Sequence, residues 1–245
     1  MKPIKSEPLY KLVKESILSR IAEGEWAPGT FLPSEPSLAK EYDVSHGTLR
    51  RALDQLTREK RLTRYQGKGT AVAVLDEDEA HFQFFQVYNN DEKRSLPSSR
   101  NINISSGVGK RGATKAEAAA LDIAAGDHVV RIERIRLLEG KAVFNEQITL
   151  SGNRFAKLKE LPLDSLPNAL YAFYQQNFSI TVAGAKENLR AVPATEEDAE
   201  RLGTPVGSPI LSIERVCFDI KGTPIEFRRT KMATEDFYYH VDLKG

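Results

Sequence analysis

The chain has 245 residues, 40% hydrophobic and 28% charged, with a formal net charge of +1. That is a globular balance, long enough for two domains of ordinary size, and no apolar run approaches the roughly 20 residues that cross a bilayer. The basic start Met1-Lys2-Pro3-Ile4-Lys5 lacks an apolar core behind it, and the lone Cys217 excludes an intramolecular disulfide, so a reducing cytoplasm without a membrane partner is expected. Charge is unevenly spread. Residues 1–75 hold 13 Lys and Arg against 9 Asp and Glu, whereas the rest holds 22 against 25, so the basic end is the one suited to a polyanion.

In chain order, Leu9, Leu12, Val13, Ile17 and Ile21 recur at spacings of three and four, which predicts an amphipathic helix ended by Gly24. Ser34 is a helix N-cap, and Pro36 falls in the first turn, where amide hydrogens have no intrahelical partner; Leu38, Ala39 and Tyr42 supply the apolar face. After a turn at Asp43-Val44, Ser45 caps another helix with a stripe of Leu49, Ala52, Leu53 and Leu56. Two β-rich segments follow, Leu62-Thr63-Arg64-Tyr65 and Thr70-Ala71-Val72-Ala73-Val74, joined by the tip Gln66-Gly67-Lys68-Gly69. Two short helices and a basic hairpin in this order make a winged helix-turn-helix. Such a fold puts the second helix into the major groove, where Ser45, His46, Gly47 and Arg50 lead and Arg50 can offer a bidentate pair to guanine, while Gly67 and Gly69 let the wing approach a sugar-phosphate chain.

The pattern Leu32-Pro33-Ser34-Glu35, Leu38-Ala39, Val44-Ser45, Thr48-Leu49-Arg50, Ala52-Leu53, Leu56 and Gln66-Gly67-Lys68-Gly69-Thr70 resembles the DNA-binding domain of GntR-type bacterial transcription regulators. The resemblance covers residues 9–74 and implies that Ser45, His46, Gly47, Arg50, Gln66 and Gly67 approach DNA. With Ser34, Thr48, Arg51, Arg64 and Lys68 these form the expected DNA-binding set. Many relatives carry Arg where this chain has Pro36 and His46, so the operator common among them is not carried over.

The acidic run Asp76-Glu77-Asp78-Glu79 reads as a solvated linker, giving a first domain of residues 1–75, a linker over 76–81 and a second domain from 82 to 245. That second domain contains an internal repeat. Thr114, Ala118, Leu121, Gly126, Ile132, Glu133 and Arg134 reappear 81 positions later as Thr195, Ala199, Leu202, Gly207, Ile213, Glu214 and Arg215. Each copy opens with a helix, capped by Thr114 with Glu117 and by Thr195 with Asp198, and continues into a hairpin: Val129 to Leu138 with Val143 to Leu150, and Pro209 to Ile220 with Ile225 to Met232. The two units are expected to merge into one antiparallel sheet with helices on one face, in the α+β class.

Strand alternation puts Val130, Ile132, Arg134 and Arg136 on one face, so two guanidiniums continue an apolar row. A three-residue loop with a bulge near Gly140 would set Arg134 opposite Glu146 on that face; a two-residue loop would separate them. Two Arg on a half-buried surface need an anion, either from Glu146 and Glu226 or from a ligand. The succession of helix, Arg-x-Arg hairpin, Leu170-Tyr171, helix and Pro224-Ile225-Glu226-Phe227 resembles the UTRA effector domain of the HutC branch, a chorismate-lyase-like fold. It implies a small-molecule pocket holding Arg134, Arg136, Glu146, Tyr171 and Glu226, closed by Ser98 or Ser99. In amino-sugar-phosphate-sensing relatives a serine often stands two before that tyrosine; here it is Ala169, and a carboxylate fits the arginines as well. Phe82, Phe84, Phe85 and Tyr88 read as core or dimer contacts or a pocket lid, and Cys217 as a buried strand residue. The four histidines show no metal-ligand spacing, and no catalytic residue, metal or cofactor is expected.

The function expected from these elements is a ligand-responsive, homodimeric repressor, released from a palindromic double-stranded operator by a small anionic effector. The alternatives are a lyase- or isomerase-like enzyme behind a DNA-binding domain, with Glu146 or Glu226 as general base, and a DNA-binding protein whose second domain only dimerises.

Overall fold

The computed structural model of the chain describes residues 7–75, 85–94 and 97–241. Residues 1–75 with 174–181 form one unit, and 76–173 with 182–245 the other. The acidic run 76–79, His81, Phe82 and Phe84 lie outside the described residues.

In the first unit, α1 (Leu9–Ala22) and α2 (Glu35–Glu41) both pack on α3 (His46–Arg58). Ile17, Leu38, Leu49 and Leu56 are wholly buried, each withdrawing enough apolar surface to favour folding by about 1.5–3 kcal/mol. Leu9 and Leu12, expected on this core, are instead exposed, because only Val13, Ile17 and Ile21 of α1 turn toward α3. Arg20, on the polar side, lies 4.1 Å from the Trp26 ring centroid and pairs with Glu25 and Glu41. The wing follows as β1 (Leu62–Tyr65) against β2 (Gly69–Val72), in the register Leu62 to Val72 through Tyr65 to Gly69.

The second unit is built on an antiparallel six-stranded sheet in the order β4-β5-β6-β9-β8-β7. Its centre is the two expected hairpins, β5 (Val129–Leu138) with β6 (Lys141–Ser151) and β8 (Pro209–Asp219) with β9 (Pro224–Ala233), joined through β6 and β9. The outer strands β4 (Ser98–Gly107) and β7 (Val182–Pro193) extend each repeat by one strand. Helices α4 (Lys115–Leu121) and α6 (Glu196–Leu202) carry the two capping boxes on Thr114 and Thr195, as the spacing predicts.

Both helices lie on one face. Ala118 and Leu121 of α4 pack with Val129 and Phe227, and Arg201 of α6 reaches Asn145 and Glu133. The other face is covered too. The start of α5 (Leu170–Phe178) lies on it, with the small pair β3 (Val87–Asn89) and β10 (Phe237–Tyr239), which buries Phe85, Val87 and Phe237 against Phe144 and Met232.

The first hairpin settles the register by a route other than the expected loop. Its turn is the two-residue Glu139-Gly140, with φ of 53° and 80°, the geometry that suits the strand twist. Alone that turn would put Arg134 and Glu146 on opposite faces. A bulge then skips Val143, since Arg136 pairs with Phe144 while Leu137 pairs with Ala142, and the extra residue restores parity so that Arg134 faces Glu146.

Candidate functional site

The candidate nucleic-acid interface is built from the front of α3 and the wing. Ser45 caps α3, its hydroxyl accepting from the Thr48 amide at 3.2 Å and lying 2.9 Å from the Thr48 hydroxyl, and Ser34 caps α2 by accepting from the Ser37 amide. Ser34, Ser45, His46, Gly47 and Arg50 are exposed, and Thr48 is half-buried by its cap. At the wing tip Gln66, Gly67 and Lys68 are all exposed; Gly67 has a φ of 72° with open space where a side chain would stand, so the backbone is bare.

Two of the expected cations are occupied. Arg64 pairs with Asp54 at 2.6 Å and reaches Glu35 at 3.4 Å, so much of its charge is answered by the protein. Arg51 lies over the Tyr10 ring at 4.1 Å, on the α1 side of α3 and away from its leading turn. Arg50 and Lys68 carry the accessible charge at the helix front and wing tip.

The second site is a small pocket over the sheet face opposite α4 and α6, partly open to solvent. Its floor is a charge lattice set by strand register. Arg134 Nε donates to Glu146 Oε2 at 2.6 Å, and the other Glu146 oxygen accepts from Arg228 Nη1 at 3.1 Å. Arg228 donates its remaining edge to Glu226, at 2.9 and 3.1 Å, while Tyr171 from α5 donates to Glu226 at 3.2 Å. Arg215 Nε donates to Glu187 Oε1 of β7 at 2.5 Å, and the other Glu187 oxygen accepts from the Tyr239 hydroxyl.

The electrostatics follow from this packing. Burial alone would raise Glu146, but Arg134, Arg228 and Arg136 overturn it and hold the carboxyl well below the usual carboxylate range. Burial drives Tyr171 upward, and it drives Cys217, whose Sγ lies 3.1 Å from the Tyr171 oxygen, to about 12, so both stay protonated. Arg136 is the exception. It is 5% exposed, its guanidinium stands 5.1 Å from the Phe85 ring centroid, and its Nε and Nη2 are buried with no hydrogen-bond partner among the described residues. Burial first, then Arg134, pull it down to about 9.

Of the expected effector set, Arg134, Arg136, Glu146 and Tyr171 line the pocket, with Glu226 one bond away beneath Tyr171 and Arg228. Ser98 is exposed and off the pocket. Ser99 supports it indirectly, donating to the Asn168 side chain at 2.7 Å, and the Asn168 carbonyl accepts from Arg134. Of the two arginines, Arg134 has an internal carboxylate, and Arg136 has none among the described residues. Phe85, weighed as core, dimer contact or pocket lid, both packs in the core and lines the pocket, whereas sequence reasoning missed Arg215, Arg228 and Glu187. Arg215 was findable, because the 81-residue repeat makes it the counterpart of Arg134.

A winged helix with a bare wing tip, followed by a sheet domain holding a charged pocket, defines a DNA-binding regulator with a small-molecule-sensing domain. Residues 9–72 match the family model described as bacterial regulatory proteins, gntR family, and residues 104–238 match that of the UTRA domain. The chain therefore belongs to the GntR family of transcriptional regulators, in the branch that carries a UTRA domain. Relatives include the mannosyl-D-glycerate transport/metabolism system repressor MngR of Escherichia coli, 28% identical and covering 95% of each chain. The transcriptional repressor NagR of Bacillus subtilis is 29% identical, covering 91% of this chain and 89% of its own. Among solved structures, the ligand-binding domain of a GntR-family regulator from Bordetella bronchiseptica is similar over 66% of this chain and 98% of its own, at 28% identity and a TM-score of 0.60. PhnF from Mycobacterium smegmatis shares the fold over 95% of this chain and 99% of its own, at 21% identity and a TM-score of 0.55.

Proposed function

We propose that this protein is a homodimeric cytoplasmic repressor that occupies a palindromic operator and leaves it when a small anionic metabolite enters the pocket of its UTRA domain. The observation that carries the sensing half is Arg136, a buried cation in the pocket wall whose Nε and Nη2 have no hydrogen-bond partner among the described residues: unmet buried donors are costly, and an anion taken into the pocket would offset the buried charge. The DNA-binding half rests on the exposed front of α3 and the bare wing, and the relatives' names support repression as its sign. In this reading the domains boundary falls near residue 76, Arg50 reads a base, and Gln66, Gly67 and Lys68 meet the backbone. Release follows if the effector binds one arrangement of the paired DNA-binding domains better than the other, since equal affinity shifts nothing. No catalytic step is assigned to the pocket.

The test is fluorescence anisotropy on fragments from the region upstream of the protein's own gene. Arg50→Ala is expected to weaken specific binding by roughly 1–3 kcal/mol and relax preference at one base pair. Lys68→Ala is expected to weaken binding to every sequence and lower the salt slope by about one, whereas Arg64→Ala, already paired internally, lowers it by less. Operator affinity untouched by both Arg50→Ala and Lys68→Ala would remove the groove assignment.

A further inference from the structure

One face of the wing carries an aromatic pair outside the set expected to meet DNA. The stretch around Phe31 runs along β2 as a third, strand-like neighbour: Leu32 donates its amide to the Thr70 carbonyl, Val72 donates to that of Thr30, and Phe31 bridges Ala71. On the other side of β2, Tyr65 stands opposite Gly69. Residues 69 and 71 share a face of the strand, so Phe31 and Tyr65 project from that face together. Their ring centroids lie 5.4 Å apart, tilted by 55°. Gly69 has no side chain to part them; a Cβ there would already touch Phe31 at 3.7 Å. Phe31 remains 45% exposed and Tyr65 47%, a contiguous apolar patch rather than a scattered surface residue.

Strand alternation decides which chemistry this face offers. Leu62 and Arg64 turn to the helix side, where Leu62 is buried and Arg64 is held by Asp54 and Glu35. Tyr65, the last residue before the tip, turns the other way. Its carbonyl accepts from the Lys68 amide at 3.1 Å and so closes the turn whose bare backbone and lysine are assigned above to the sugar-phosphate chain. A surface that touches this turn therefore comes within a side chain's length of the ring. A duplex backbone fits both parts: its phosphates suit Lys68, and the C–H surface of the deoxyribose between them suits the rings, with the phenol hydroxyl as a further phosphate donor.

We propose that Phe31 and Tyr65 form an apolar shelf that packs on deoxyribose beside the phosphates met by the wing tip, and that it adds a part to operator affinity that depends on neither sequence nor salt. This rests on the wing tip meeting the sugar-phosphate chain, and it adds a second kind of contact to that reading.

Fluorescence anisotropy of the full chain on the upstream fragment and on an unrelated duplex, each over a range of salt concentrations, tests it. Tyr65→Ala is expected to weaken binding to both duplexes by about tenfold, the scale of withdrawing the exposed half of a large ring from water. The salt slope is expected to stay where it was, because an apolar contact releases no counterion. Phe31→Ala, which lies outside the turn and leaves its closure intact, should act in the same sense, and Tyr65→Phe should keep most of the affinity. A loss in Tyr65→Ala accompanied by a fall of about one in the salt slope, as for Lys68→Ala, would mean that the ring only holds the turn in place, and overturns the shelf. Unchanged affinity in both Tyr65→Ala and Phe31→Ala beside a weakened Lys68→Ala overturns the shelf and leaves the wing assignment standing. DNA affinity intact but an altered oligomeric mass in sedimentation overturns it too, giving the face to a second copy of the chain. If Lys68→Ala is inert as well, the wing assignment falls and the shelf falls with it.

Discussion

Replacing Arg136 by Met should make the ligand-free protein more stable. Holding a guanidinium at about 9 instead of 12.5 costs the folded state about 5 kcal/mol for as long as the group is charged. A separate count from geometry gives a similar scale, since each unmet buried donor costs about 1–3 kcal/mol and Arg136 has two. Met keeps an unbranched stem against Phe85 and Phe144 and gives up the cation–π contact, worth about 1–2 kcal/mol. The balance is a gain of about 3 kcal/mol, or roughly 6–12 °C in melting temperature for a domain of this size. Because the folded-state pKa lies below the unfolded one, the penalty is fully present below pH 9 and fades as pH rises from there toward 12.5. Calorimetry of ligand-stripped wild type and Arg136→Met at pH 7.5 therefore measures it whole. A variant that melts below the wild type refutes the claim that this cation is uncompensated.

Glu146→Gln should act in the opposite sense. It leaves Arg134 and Arg228 without their shared carboxylate, and breaking a buried pair in this way costs about 3–5 kcal/mol, read as a fall in the urea midpoint. On the far face, Glu117 is the anchor of acid stability. Burial would raise it, but hydrogen bonds from Arg131, the Thr114 amide and Thr149 bring it from 4.5 down to about 2, so the stability it gives is complete above pH 4.5 and is lost as pH falls from there toward 2. Glu117→Gln should therefore flatten the loss of stability across that window in acid titrations followed by circular dichroism.

How much of this was legible in the sequence depended on whether a signal was local. Caps at Ser45, Thr114 and Thr195 and both central hairpins lie within a few residues of their causes, so spacing found them. Strands β4 and β7 carry no such mark. At the sheet edges few of their residues are fully buried, and Ser98–Gly107 reads as polar chain in which only Ile102 and Ile104 alternate with polar neighbours. The parity of Arg134 and Glu146 turned on one bulge at Val143, which no residue type announces. Which arginine lacks a partner was beyond reach for the same reason: Glu146, Glu187 and Glu226 sit on three strands, and their assignment is decided across the sheet rather than along it. Leu9 and Leu12 show the limit of periodicity, which gives the width of an apolar stripe but not the width of what covers it.

Duplication within the second domain brings an asymmetry of its own. Arg134 has its counterpart in Arg215, but the position that repeats Arg136 is Cys217, wholly buried and capped by the Tyr171 hydroxyl. One half of the repeat thus carries a guanidinium with two unmet donors, and the other holds a neutral thiol at the same position. If the pocket is the effector site, as proposed, the stoichiometry that follows is one effector per polypeptide.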